Sequence, residues 1–248
     1  MSSATLSNDI LPTPDQDMHV HSTYSDGRGT VQENLAAAEL CGLTRMTCVD
    51  HVRASTDWVS GFIREVRHVA AQFEIAVGCG LEAKLLDLSG RLDLPPDSDQ
   101  ADYIYIADHQ VPLADGPATP SRVREAIAVG KLDAPTVIAA ILEATTNAIP
   151  QVQNVVVAHL FSVLPKLGIR ESDVPIEAIQ RLARVAAGAG AQVEIDERWR
   201  CPSARTLRPF LHAGVPIVLS SDSHQPSTIG RYDYCLETLA ELATGSRR

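Results

Sequence analysis

Asp17-Met18-His19-Val20-His21-Ser22 reads as a β-strand, and because strand side chains alternate between two faces, both histidines share one face. Six further β-rich runs follow, at Arg45–His51, Glu74–Leu86, Tyr103–His109, Asn154–Ser162, Gln192–Glu197 and Pro216–His224. Segments of helical period separate most of them: Val31–Cys41, Trp58–Gln72, Ile176–Ala187, Arg205–Ala213 and Leu236–Leu242. Strands alternating with helices predict βα units around a parallel sheet. Two connections depart from this pattern. Leu88 to Asp99 reads as a hairpin turn followed by an irregular loop, and Val111 to Pro150 carries two helices, Ser121–Val129 and Ala134–Asn147.

A chain of 248 residues suits one α/β barrel. Hydrophobic residues make up 45% and charged residues 21%, enough for an extensive core without disulfides. The formal net charge of −10, from 21 basic and 31 acidic side chains, argues against a nucleic-acid polymer as partner, because such binding needs Lys and Arg to neutralise phosphates. The five cysteines are scattered without a C-x-x-C pair, so neither a disulfide framework nor a cysteine zinc knot is expected, and a reducing cytoplasm is the expected compartment. Residues 1–16 read as a flexible leader without the marks of a signal peptide, and residues 17–248 as one domain. No apolar run is long enough to cross a membrane. The sequence leaves the oligomeric state open.

Strand polarity is what points to chemistry. His19 and His21 end the first run, His51 the second, His109 the fourth, and Asp222-Ser223-His224 the seventh; Glu82 lies in the third, His159 in the fifth, and Asp26 in a turn after the first. A lone H-x-H is most often a solvated strand pair, but six of the eight histidines together with three carboxylates converge on the C-terminal rim, where α/β barrels gather catalytic groups. Imidazole and carboxylate donors suit Zn, Mn or Fe. Without metal, so many such groups would oppose each other's ionisation. His68 and His212 fall within helical segments and are read as surface or packing residues.

The set His19-Val20-His21, Asp26, Val49-Asp50-His51, Gly80-Leu81-Glu82, His109, Ala158-His159 and Ser221-Asp222-Ser223-His224 resembles the polymerase and histidinol phosphatase (PHP) superfamily from Asp17 to about Gly230. The resemblance implies a distorted (β/α)7 barrel and three divalent metal ions. It implies that His19, His21, Glu82 and Asp222 hold the first metal, that Glu82 bridges to a second held also by His109 and His159, and that Asp26, His51 and His224 hold a third. The family's nucleophile is a hydroxide bridging the metals. The reaction expected is hydrolysis of a small phosphate monoester, with zinc first and manganese or iron as alternatives.

Metal binding lowers the pKa of water from about 15.7 towards 7, and Asp222 is the candidate for helping to deprotonate it while Glu82 bridges. Arg53, Arg198 and Arg200 follow strand ends and are candidates for binding phosphate oxygens in a bidentate manner. Trp199, between two of them, is a packing residue or an apolar wall for a leaving group. Cleavage of a phosphodiester, metal-dependent amide or lactone hydrolysis, and a non-catalytic metal-binding module remain alternatives. The carboxylate of Glu82 where carbonyl hydrolases place a lysine favours phosphorus chemistry.

Overall fold

A computed structural model describes residues 11–245, so most of the expected leader lies outside the described residues. Seven parallel strands line up in the order β1 (Gln16–Val20), β2 (Arg45–His51), β3 (Ala76–Lys84), β4 (Tyr103–Ala107), β7 (Val155–Val157), β8 (Gln192–Asp196) and β9 (Ile217–Ser220). An isolated parallel bridge between Val20 and Ser223, with the His21 N–H donating to the Ser223 carbonyl at 2.8 Å, brings the last strand back to the first. The distorted (β/α)7 barrel is therefore nearly closed.

Helices α1 (Val31–Leu40), α2 (Val59–Ala70), α4 (Ala134–Ala148), α5 (Ile176–Gly188), α6 (Ala204–His212) and α7 (Tyr234–Gly245) occupy the connections, joined by a short α3 (Pro120–Ala128). α1 starts where the Thr30 side chain accepts from the Glu33 N–H and the Glu33 carboxylate accepts from the Thr30 N–H, a reciprocal cap. The buried stripe of α2, Val59, Phe62, Ile63, Val66 and Val69, has the spacing of one helix face.

Inside the barrel, Met18, Val49, Tyr105, Ala107, Val156, Ala158 and Val218 form a separate apolar layer. β1 contributes through an irregularity: Asp17 pairs with Met46 but Val20 with Cys48, so β1 carries one extra residue, as in a β-bulge. The Tyr105 hydroxyl donates to the Met18 carbonyl. Gly80 makes room for that ring, since a Cβ there would stand 2.6 Å from Tyr105 Cε2 and 2.9 Å from Val49 Cγ2.

The structure departs most from the sequence reading in the connection after β4 and at the ends of two strands. Val111–Leu113 (β5) and Gly116–Ala118 (β6) form an antiparallel hairpin ahead of the two helices expected there. Pro112 and Pro117 face each other in it; prolines depress strand propensity, and the ladder tolerates them because it is short and both strands of a two-stranded sheet are edges. The expected strands Asn154–Ser162 and Pro216–His224 shrink to Val155–Val157 and Ile217–Ser220, because the chain turns to positive φ at His159 (26°) and Asp222 (48°), outside any strand conformation. Among the described residues no helix is long and apolar enough to cross a membrane, and all five cysteines are free thiols, with Cys48 and Cys79 buried.

Two glycine substitutions should move stability in opposite directions. Gly80→Ala forces Tyr105 and Val49 apart and should cost about 1–3 kcal/mol. Gly61→Ala lies inside α2, where an added Cβ meets only the Tyr24 hydroxyl at 3.9 Å, and should stabilise by about 0.5–1 kcal/mol. Chemical unfolding of both variants checks this; a neutral Gly80→Ala would contradict the packing described.

Candidate metal centre

Strand register builds the centre. His51 on β2 lies directly beside Glu82 on β3, and Glu82 is the point on which the imidazoles converge. Its Oε2 lies 2.7 Å from His51 Nδ1 and 3.6 Å from both His19 Nε2 and His21 Nε2. Its Oε1 lies 3.0 Å from His109 Nε2 and 2.8 Å from His159 Nε2. Asp222 Oδ1 stands 3.0 Å from His21 Nε2 and 3.4 Å from His224 Nδ1. Asp26, more exposed, lies 3.5 Å from His51 Nε2 and 3.2 Å from His224 Nε2. The structure thus brings all nine of His19, His21, Asp26, His51, Glu82, His109, His159, Asp222 and His224 to one mouth of the barrel.

The donors suit divalent ions on grounds of spacing and of unmet valence. Ligands about 2.0–2.2 Å from a tetrahedral zinc stand about 3.3–3.6 Å from one another, close to the separations between His19, His21 and Glu82, and between Asp26 and His51. Among the described residues four sets could hold an ion: His21, Asp26, His51 and His224; His19, His21 and Glu82; His51, Glu82 and His109; and His19, Glu194 and Asp196. Buried atoms whose close contacts are not aligned as hydrogen bonds include His19 Nε2, both nitrogens of His21, Glu82 Oε2 and Asp222 Oδ1, a concentration that native interiors avoid unless something else satisfies it.

Electrostatics follow from crowding. Burial opposes the charge of Glu82, yet His109, His159 and His19 hold its carboxyl well below the usual range. Burial works against protonation of His19 too, but Glu194 and Glu82 raise it well above an ordinary imidazole. Burial brings His21 down to about 4. For Asp222, burial is outweighed by the histidines around it, chiefly His21, and its pKa falls.

Four buried carboxylates to which the sequence reading gave no role hold the donors in place. Glu194 on β8 takes His19 Nδ1 at 3.1 Å, accepts from the His159 backbone N–H and from the Ser220 hydroxyl at 2.8 Å; this leaves His19 Nε2 for the centre, the usual arrangement behind a metal-binding histidine. Asp108 lies 3.6 Å from His159 Nδ1 and accepts from Ser162 Oγ at 2.6 Å. Asp50 accepts from the Ser22 N–H at 3.0 Å and Ser22 Oγ at 2.6 Å, tying down the turn that carries Asp26. Asp17 accepts from the N–H groups of Ser221 and Gly230, fixing the loop that carries Asp222. The sequence held one signal for the first of these: Glu194 and Asp196 alternate with Val193 and Ile195, which places two acids on the barrel side of β8.

The arginines part company. Arg198 lies with its Nη1 in contact with the His224 ring and 3.7 Å from Asp222 Oδ1. Arg200 instead reaches Glu237 of α7 at 3.6 Å and lies over the Tyr234 ring, away from the cluster. Arg53 is exposed on the turn after β2. Beside Asp222 and His224 opens a cleft of about 850 Å³, lined also by Arg28, Arg198 and Arg231.

No protein-family model and no curated protein matches the chain. Among solved structures it is similar to histidinol phosphate phosphatase from Lactococcus lactis subsp. lactis Il1403, solved with zinc, L-histidinol and phosphate: TM-score 0.67, 18% identity, 94% of this chain and 93% of that one. A two-domain protein of Bacteroides vulgatus ATCC 8482 containing a predicted PHP-like metal-dependent phosphoesterase follows at TM-score 0.45 and 14% identity, over 94% of this chain and 62% of that one. N-isopropylammelide isopropylaminohydrolase from Burkholderia multivorans ATCC 17616 gives TM-score 0.45 and 13% identity, over 93% and 69%. The first of these likenesses establishes the barrel fold that the sequence resemblance implied.

If Glu194 orients His19 for a metal ion, Glu194→Gln should weaken zinc binding about 10–100-fold with little change in secondary structure. Competition against a chromophoric chelator measures this; parental affinity in the variant would remove Glu194 from the assembly of the site.

Proposed function

We propose that the chain is a metal-dependent phosphoester hydrolase acting on a small phosphate monoester. The observation that carries the reading is the buried Glu82 carboxylate, ringed by five imidazoles and lying beside Asp222, on a fold shared with a histidinol phosphate phosphatase. In this reading His19, His21, Glu82 and Asp222 hold one ion, Glu82, His109 and His159 a second, and Asp26, His51 and His224 a third. Three of the geometric sets overlap at His21, His51 and Glu82, in keeping with ions close enough to share ligands. Zinc is the first ion to test, because neutral imidazole with carboxylate is a zinc-type donor set, with manganese and iron as alternatives.

Divalent ions held there supply Lewis acidity and a water acidic enough to act as nucleophile at neutral pH. The protein's own groups do the rest. The Trp199 indole N–H donates to Asp222 Oδ2 at 2.8 Å, which leaves Oδ1 facing the cluster, where it is set to receive the proton of the attacking water. Arg198, over Asp222 and His224, is the guanidinium best placed to hold phosphate oxygens. The cleft beside it accommodates the alcohol. The carboxylate at the centre of the cluster favours phosphorus over carbonyl chemistry.

The test is phosphate release. Protein loaded with zinc, manganese or iron should liberate phosphate from at least one member of a panel of sugar, nucleotide and amino-alcohol phosphates, and chelation should abolish it. His19→Ala and Glu82→Gln should each lower turnover about a hundredfold or more. No release above the His19→Ala background with any metal and any ester would end this reading.

A further inference from the structure

Lys166 stands beside the centre with no role in the set just described. It sits on a 3-10 turn, Leu164–Leu167, that follows β7 and is pinned by the buried Leu164 and Leu167. Its ammonium lies 3.8 Å from the centroid of the Trp199 ring, a cation–π distance. The same indole donates its N–H to Asp222 Oδ2, and the Arg198 guanidinium lies 5.6 Å from the same ring. Trp199 thus links a ligand candidate, bonded at its indole N–H, to two cations within cation–π range of its ring. Lys166 is half-buried, and among the described residues it forms no ion pair with a carboxylate. Burial presses its pKa down, while Asp108 and Asp222 pull the other way.

An ammonium offers three donors and no acceptor. Half out of water, with an indole face as its neighbour and no carboxylate among the described residues paired to it, it keeps donors free for an anion that reaches the Trp199 side of the centre. A phosphate monoester dianion carries three terminal oxygens and two charges; a diester carries two terminal oxygens and one charge, with a second alkoxy group where the third oxygen would be. Arg198 can take two oxygens as a fork. We propose that Lys166, seated on Trp199, binds the remaining terminal oxygen and so makes the site select a phosphate dianion over a diester. Trp199 is then a positioning residue for both Lys166 and Asp222. This inference rests on the phosphoesterase reading above.

Inorganic phosphate is the probe, because it needs no knowledge of the natural alcohol. Calorimetric titration of phosphate into the zinc-loaded full chain should show binding, and Lys166→Met, which keeps an unbranched stem on the indole, should weaken it about 10–100-fold. Metal content and melting temperature should stay at the parental value, and Lys166→Arg should recover most of the affinity. With 4-nitrophenyl phosphate and bis(4-nitrophenyl) phosphate, the ratio of monoester to diester kcat/KM should fall by a similar factor in Lys166→Met. If that variant melts early, Lys166→Gln serves for the same comparison. A parent that binds zinc but no phosphate overturns the proposed function and this inference with it. A parent that binds phosphate while the Lys166 variant binds it equally well, or loses both esters equally, overturns the inference alone.

Discussion

One fully buried carboxylate organises this molecule. Glu82 is desolvated on β3, where an unpaired charge would cost several kcal/mol, and it persists because imidazoles from β1, β2 and the ends of β4 and β7 surround it. No two adjacent strands could supply them. The arrangement needs the sheet to curl until β1 meets β9, which the bridge between Val20 and Ser223 accomplishes. Closure also carries Asp222 and His224 onto the same rim. The charge at the centre and the shape of the barrel are one constraint: the sheet is curled where the carboxylate needs company.

The donors would wander without the carboxylates behind them. Glu194 fixes a ring nitrogen of His19 and the backbone of His159 together, so one side chain couples β1, β7 and β8. Asp17 and Asp50 act on backbone instead, each holding a loop that ends in a donor. Such groups have no partner to spare for chemistry, which distinguishes them from His21 and Asp222, whose inner atoms lack hydrogen bonds. Asp196 belongs to neither class: one oxygen accepts from the Trp199 N–H, the other has no partner, and burial with Asp222 and Glu194 nearby pushes its pKa well up.

How much of this could be read from the sequence depends on what each residue had to announce. The strands announced themselves as β-rich runs, and the donors as polar residues at their C-terminal ends, so both the barrel and the convergence of the nine were legible. Glu194 was less so, because an acid in mid-strand looks the same whether it faces solvent or the barrel interior; only the parity set by Val193 and Ile195 decides. Lys166 carried no signal, since a 3-10 turn has no period and its neighbour Trp199 is 33 residues away. Arg198 and Arg200 looked equivalent, both following β8. The difference is a backbone one: Arg200 takes φ of 51°, and its side chain goes out to Glu237.

The backbone around the rim shows what such a site demands. His159 and Asp222 both adopt left-handed φ, a conformation that costs a non-glycine residue on the order of 1–3 kcal/mol. They occupy matching places, just past β7 and β9, where the chain leaves the strand direction and turns across the mouth. The strain is offset locally: the His159 N–H is bonded to Glu194, and the Asp222 carboxylate to the Trp199 indole. A protein selected for stability alone would relax both positions with glycine and bury leucine where Glu82 stands. That it does neither, and among the described residues keeps Lys166 beside the same indole without a carboxylate partner, is a departure from stability in keeping with the function proposed.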